Sequence, residues 1–93
     1  MTKRMKTEDL DKHAINCGFQ IVIFGERYTK RSSPSTTVFV EYVYPSKRWI
    51  GWEQGWDDNG RLNVSQVFSQ TVTLNETLLN AGKYMHETKP VTT

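Results

Sequence analysis

The turn signal Asp57-Asp58-Asn59-Gly60 constrains the fold of this chain more than any other feature, because it separates two strand-like runs. Residues 48 to 57 and 61 to 74 are rich in the aromatic and β-branched residues that favour strands. Asp first, Asn third and Gly fourth suit a type I turn closed by a left-handed glycine, which is a three-residue hairpin loop. A two-residue loop, Asn59-Gly60, is the alternative. The segment therefore predicts a β-hairpin.

The loop length decides where the three tryptophans of the chain lie. Trp49, Trp52 and Trp56 all belong to the first strand of the hairpin, where Trp52 and Trp56 point to one face and Trp49 to the other. A three-residue loop puts Trp56 opposite Leu62, on an apolar face, whereas a two-residue loop makes the pair an exposed platform. We predict that Trp52 and Trp56 lie in the core and that Trp49 lies on the wetter face.

The second strand of the hairpin sorts its residues by parity into an apolar and a polar face. The apolar parity holds Leu62, Val64, Phe68, Val72 and Leu74, and the polar parity holds Asn63, Ser65, Ser69, Thr71 and Thr73. A single helix from Val64 through Leu79 is the competing interpretation, but the β-branched and Thr-rich middle disfavours it. In the first strand, Gly51 and Gly55 leave the backbone bare, which admits a helix or partner chain closely or marks a bulge.

Two more strands are predicted before the hairpin. Residues 19 to 28 are apolar on both alternating faces, which is typical of an interior strand. Residues 38 to 45 alternate and end at Pro45. The polar segment from 29 to 37 is predicted to connect them.

A short helix is predicted at each end of the chain. In residues 7 to 18, Thr7 is a candidate N-cap and Gly18 a terminator, with an apolar stripe at helical spacing formed by Leu10, Ala14 and Cys17, beside His13. Near the C-terminus, Thr73 and Glu76 have capping-box spacing, and Gly82 lies near the expected end. The prediction is an α+β fold in one domain, residues 1 to 93, with a three- to four-stranded antiparallel meander between two helices. Residues 1 to 6 and 89 to 93 are expected to be flexible.

Composition limits the compartment and the partners. The 93 residues suffice for one core, and a formal net charge of +2 leaves nucleic acid open without requiring it. The basic start has no apolar run of the length that a secretory signal or a membrane span needs. A single cysteine, Cys17, cannot form an internal disulfide. We therefore expect a cytoplasmic protein without a membrane partner.

No constellation for catalysis or for a cofactor stands out. His13 and Cys17 are four apart on the first helix, but two ligands do not make a metal site. Asp57 and Asp58 suit the turn, and Glu53 alone is not a general acid/base pair. The chain has no glycine-rich phosphate loop and no nucleophile elbow. We expect no enzymatic activity, no cofactor and no metal.

The candidate binding residues are basic and aromatic. Trp49 follows a basic pair, which is typical of a stacking site or of an anchor at a protein interface, although an indole packed under a helix is an equally valid interpretation. The basic residues Arg27, Lys30 and Arg31, with Tyr28 among them, could meet Lys47 and Arg48 at one edge of the sheet. The predicted partner-binding residues are Trp49, Arg48, Lys47, Arg27, Tyr28, Lys30 and Arg31.

These observations predict a non-catalytic accessory or inhibitor protein that docks on a larger protein or complex. Inhibitors of host defence encoded by viruses and mobile elements are one such class. A small nucleic-acid-binding protein with a basic and aromatic surface is the alternative, and the composition also leaves a homodimer open.

Overall fold

Five antiparallel strands form one sheet whose spatial order follows the chain, with a helix before and a helix after it. The computed structural model describes residues 6 to 88, so the ends predicted to be flexible, residues 1 to 6 and 89 to 93, lie outside it except for Lys6. The elements are α1 (Thr7–Asn16), β1 (Gln20–Ile23), β2 (Arg27–Ser33), β3 (Thr36–Val43), β4 (Arg48–Trp56), β5 (Leu62–Thr71) and α2 (Leu74–Thr88). The predicted α+β meander between two helices is confirmed, with one more strand than expected.

The additional strand comes from a turn at Gly25 that divides the segment predicted as one interior strand. Gly25 has a φ of +71°, and Glu26 donates its N–H to the carbonyl of Ile23 at 3.0 Å. Beyond this turn, β2 runs through residues 29 to 33, which were predicted to be a connection. These polar residues are extended because they pair with β3, and Thr29 pairs with β1 as well. The apolar β1 is an edge strand, with Val22 and Ile23 exposed.

The hairpin between β4 and β5 has the predicted three-residue loop. The N–H of Asp57 donates to the carbonyl of Arg61 at 2.8 Å, and that of Gly60 donates to the carbonyl of Asp57 at 2.9 Å. The Oδ1 of Asp57 accepts the N–H groups of Asn59 and Arg61, both at 2.9 Å. Gly60 has a φ of +77°, as a left-handed closing glycine requires. Local turn chemistry therefore determined the loop.

The predicted assignment of the tryptophans to faces is wrong. Trp49 is only 2% exposed and lies in the core, whereas Trp56 is 38% exposed. Trp56 does lie opposite Leu62, but the register then shifts twice, so β5 holds one extra residue between positions 62 and 64 and another between 67 and 69. Each bulge moves the following residues to the other face.

The faces of β5 are inverted because α2 packs on the side of the sheet that carries Ser69 and Thr71. Ser69 and Thr71, predicted to be on the wet face, are buried, whereas Leu62 and Val72 are exposed. The competing helix from Val64 through Leu79 is also wrong, because the chain stays extended to Thr71 and α2 begins at Leu74.

The bare backbone at Gly51 explains which face of β4 receives the helix. A methyl group added there would lie 2.7 Å from two ring carbons of Phe68 and 3.2 Å from the Cγ2 of Thr77 in α2. Phe68 is the additional residue of the second bulge. The glycine thus admits a neighbouring ring and a helix closely, as the sequence allowed, while Gly55 lies buried beside the first register shift.

Gly51→Ala is expected to lower the free energy of unfolding by about 1 to 3 kcal/mol, because the methyl group overpacks the contact with Phe68. Urea denaturation of the wild type and the variant measures this loss. Gly82→Ala is the matched control, since a Cβ at that position in α2 meets nothing within 4 Å. This control should be neutral or stabilising by up to about 1 kcal/mol. Equal stability of Gly51→Ala and the wild type would mean that the Phe68 ring does not pack over Gly51.

The two helices start and stop at different signals. Thr7 is the first residue of α1 rather than its N-cap, and Lys6 precedes it without a side-chain cap. Gly18 ends the helix as predicted, with a φ of +89° and a bond from the N–H of Phe19 to the carbonyl of Ala14 at 3.0 Å.

At the start of α2, the Oγ1 of Thr73 accepts the N–H of Glu76 at 3.2 Å, which confirms the predicted cap. Gly82 does not end this helix, which continues to Thr88. Neither helix in residues 6 to 88 is long and apolar enough to cross a membrane.

The core lies between the helices and one face of the sheet. The buried apolar residues from the helices and from strands β2, β3 and β4 form one cluster, made of Leu10, Ala14, Phe19, Tyr28, Val38, Val40, Trp49, Leu74, Leu78 and Ala81. Side chains that alternate with the buried ones along the strands point away from both helices. We call this side the open face; its members include Arg27, Thr29, Arg31, Phe39, Glu41, Arg48, Ile50, Trp52, Trp56 and Val67.

Candidate functional site

A row of four side chains crosses the middle of the open face. Thr29, Phe39, Trp52 and Val67 lie opposite one another on β2, β3, β4 and β5. The rings of Phe39 and Trp52 stack with their centroids 5.1 Å apart and their planes 6° apart. Val67 is 55% exposed. We call this set the open-face row; it is an aromatic and aliphatic ridge on a side of the sheet where neither described helix packs.

Polar groups surround the row. The Nε of Arg27 donates to the Oε2 of Glu41 at 2.8 Å in a partly exposed ion pair. Arg31 and Arg48 are exposed on the same face. An apolar centre with a rim of charged residues is the usual anatomy of a protein interface.

Two residues predicted to bind a partner belong to the core instead. Trp49 stacks with Tyr28 at a centroid distance of 6.2 Å and tilts against Tyr42 at 5.3 Å. Tyr28 is fully buried, and its hydroxyl donates to the Oδ1 of Asp11 at 2.7 Å. The exposure predicted for Trp49 is therefore wrong, and the structure has the packed indole of the alternative interpretation.

The predicted basic residues do not gather at one edge. Arg31 lies opposite Thr37 at one end of β3, and Arg48 lies opposite Val43 at the other end, about 20 Å away along the strand. Lys47 occupies the turn before β4, with a φ of 55°. Any binding by these residues would therefore occur at two separate ends of the sheet.

Lys30 lies on the helix side of the sheet, because its Nζ donates to the carbonyl of Cys17 at 3.1 Å. The same atom is 5.8 Å from the centre of the Phe19 ring. Lys30 thus ties β2 to the end of α1 and does not extend the positive charge of the open face.

An open cleft lies at the end of the sheet where Trp56 is exposed. Arg31, residues 34 to 37 and residues 56 to 58 line it. The carboxylate of Asp57 accepts hydrogen bonds within the hairpin turn, as predicted. The cleft joins an indole to a guanidinium but provides no activated nucleophile among these lining residues.

A polar network that the sequence did not reveal fastens α2 to the sheet. Glu53 accepts hydrogen bonds from the hydroxyl of Tyr84 at 2.8 Å and from the Oγ of Ser32 at 2.6 Å. Burial, followed by the hydrogen bond and negative charge of Glu53, raises the pKa of Tyr84 to about 12. The Tyr84 ring also stacks on Phe68 at 4.5 Å. The signal in the sequence was a carboxylate on the same parity as Gly51 and Gly55, which is the face that α2 covers.

Of the two candidate metal ligands in α1, His13 and Cys17, His13 has a structural role. The Nε2 of His13 donates to the Oδ1 of Asn75 at 3.0 Å and so links α1 to α2. Within residues 6 to 88, no group of three or more His, Cys, Asp or Glu side chains is placed to hold a metal ion. Comparison of the chain with protein-family models, with curated proteins and with solved structures gives no match. The proposed function therefore rests on the surface of the described residues.

Proposed function

We propose that this protein is a non-catalytic accessory or inhibitor protein that docks on a larger protein through its open face. The observation that supports this most is the Phe39–Trp52 stack at the centre of a sheet face on which neither helix packs. Aromatic anchors near the centre of an interface, with Arg at the rim, supply most of the binding energy in protein complexes. Contiguous apolar surface that is partly exposed, as at Phe39 and Trp52, commonly marks such a site.

The ring geometry favours a protein over a nucleic acid as the partner. Phe39 and Trp52 face each other with nearly parallel planes, so the two confronting ring faces are closed to an incoming base. Base stacking on a protein needs a free ring face beside a cationic path for the backbone. Here Arg27 is paired with Glu41, and Arg31 and Arg48 lie at opposite ends of β3. The open face presents an apolar ridge with separated charges.

A nucleic-acid-binding function remains the second candidate because of the Trp56 end of the sheet. There an exposed indole lines the same open cleft as Arg31. This pairing supports contact with a single-stranded segment. Its signature would be oligonucleotide binding that weakens steeply as salt is raised.

The test of protein docking is capture of a stoichiometric partner from the native host, followed by titration of the purified partner. We expect Trp52→Ala to weaken this binding by about thirtyfold or more, because truncating a central aromatic anchor costs at least about 2 kcal/mol. Leu79→Ala is the matched control, since it removes an exposed apolar side chain from α2 rather than from the open face.

Circular dichroism establishes that both variants keep the wild-type fold. A partner that binds Trp52→Ala as tightly as the wild type would contradict docking through the open face. Phe39→Ala provides an independent check on the same stack.

A further inference from the structure

The outer edge of β5 has two bulges but lacks the charge, the proline and the short length that also keep an edge strand from pairing. Within residues 6 to 88, β5 pairs with β4 alone, so its outer backbone N–H and C=O groups face outward along ten residues. Edge strands are commonly protected by charged side chains, by proline or by short length. β5 has no charged residue and no proline, whereas the opposite edge, β1, is only four residues long.

We propose that β5 pairs antiparallel with β5 of a second copy of this chain, about a two-fold axis at Val67. The backbone groups of one edge would be satisfied by the same edge of the other molecule, as an isologous interface requires. This inference concerns the edge of the sheet and does not rest on the proposed docking function of the open face.

The exposed apolar side chains of β5, together with Val72, which directly follows the strand, match this axis. Leu62, Val67 and Val72 are 53%, 55% and 62% exposed, and Val67 is five positions from each of the other two. A two-fold axis at Val67 brings Val67 opposite the partner's Val67 and brings Leu62 opposite the partner's Val72. All three side chains would thereby gain an apolar neighbour.

The two bulges make this pairing consistent in its faces. Residues five apart in a regular strand point to opposite faces, but one bulge lies between positions 62 and 67 and the other between 67 and 72. Leu62 and Val67 therefore share the open face with their partners Trp56 and Trp52. Val72 directly follows the buried Thr71 and is exposed, and pairing with the partner would extend β5 by this one residue.

The inner positions match in the same way. Ser65 lies opposite Gln54, and Gln70 lies opposite Ile50, so both are on the open face. Phe68 is the extra residue of a bulge and takes no place in the pairing, so Ser65 and Gln70 are each two paired positions from Val67. Rotation about Val67 therefore puts Ser65 opposite the partner's Gln70, which pairs two polar side chains. One extra residue in each half of the strand is what makes the halves equivalent, and no like charges meet along the interface.

The test is light scattering coupled to size-exclusion chromatography over a series of protein concentrations. The wild type should be a dimer that dissociates on dilution. Val67→Lys should raise the dimer dissociation constant by about tenfold or more, because it opposes two ammonium groups at the axis. Val22→Lys is the matched control on β1, since Val22 is comparably exposed, and it should behave like the wild type.

A wild type that is monomeric at every concentration would overturn the proposal, as would a Val67→Lys variant that dimerises normally. No docking partner enters this experiment, so its failure would leave the Trp52→Ala result intact.

Crosslinking gives a second measurement that does not depend on the folding of Val67→Lys. In a Cys17→Ser background, a thiol at Val67→Cys should be joined rapidly to the partner's thiol by a short bis-maleimide. Val72→Cys should react more slowly, because it would lie opposite the partner's Leu62 and far from its own counterpart. Equal rates for the two variants, or no crosslinked dimer from Val67→Cys, would exclude the axis at Val67.

Discussion

Trp49→Ala is expected to lower the free energy of unfolding by about 3 to 5 kcal/mol, because it removes a large aromatic side chain from the interior. Trp49 is 2% exposed and packs against the rings of Tyr28 and Tyr42. The indole belongs to the close-packed buried cluster, so the surroundings can relax only in part. Equilibrium denaturation in urea or guanidinium gives the change directly.

Trp56→Ala is the matched control, since it deletes the same side chain from the same strand but from the open face. Trp56 is 38% exposed, and its truncation should cost no more than about 1 kcal/mol. The two variants together test the face assignment. If Trp56→Ala were the more destabilising of the two, the helices would cover the side of β4 that carries Trp52 and Trp56, as the hairpin pattern predicted.

Asp11→Ala is expected to cost about 2 to 4 kcal/mol, because two buried donors lose the carboxylate that accepts them. The Oδ1 of Asp11 accepts the N–H of Gly25 and the hydroxyl of Tyr28, each at 2.7 Å. Both bonds join α1 to the turn and strand that follow it. Thermal and chemical denaturation should show the loss, and Asp11→Asn should be milder because its amide oxygen remains an acceptor.

A double-mutant cycle separates this bond from the general burial of Asp11. Tyr28→Phe removes only the hydroxyl that donates to Asp11. The combined Asp11→Ala and Tyr28→Phe variant should lose less stability than the sum of the single losses, since both changes remove one shared interaction. Strict additivity would indicate that the hydroxyl and the carboxylate do not interact in the folded protein.

The inverted faces also change which aromatic residues are candidates for binding a partner. Trp49 and Tyr28 are buried in the core and cannot contact a partner in the folded protein. Phe39 and Trp52 are the new candidates because they stack on the open face. Aromatic composition alone predicts a contact surface but cannot say which strand face carries it. That choice decides which substitution should affect a partner and which should affect folding.

Several parts of the fold follow from short stretches of sequence. The loop at Asp57 to Gly60 formed as predicted, because the Asp57 side chain and a left-handed Gly60 complete the turn within five residues. The end of α1 at Gly18 and the cap of α2 at Thr73 are local in the same sense. Each depends on backbone conformation and on hydrogen bonds between neighbours along the chain.

The parts that were missed depend on distant partners. Gly25 was not recognised as a turn, because its conformation is supported by the carboxylate of Asp11, fourteen residues earlier. The polar β2 is a strand because two neighbouring strands pair with it. Glu53 accepts the hydrogen bond from Tyr84 only when α2 is packed on the sheet.

The sequence by itself determined the hairpin, its loop, the two helices and the meander order, since these arise from local turn chemistry and alternation. Tertiary structure alone decided which tryptophan is buried. The two bulges of β5 shift its register against β4, and the ring of Phe68 and the side chain of Thr77 fill the space over Gly51. Because a bulge reverses the side chains up to the next bulge, and because α2 packs where the bare Gly51 admits it, alternation along a single strand cannot predict which face is buried.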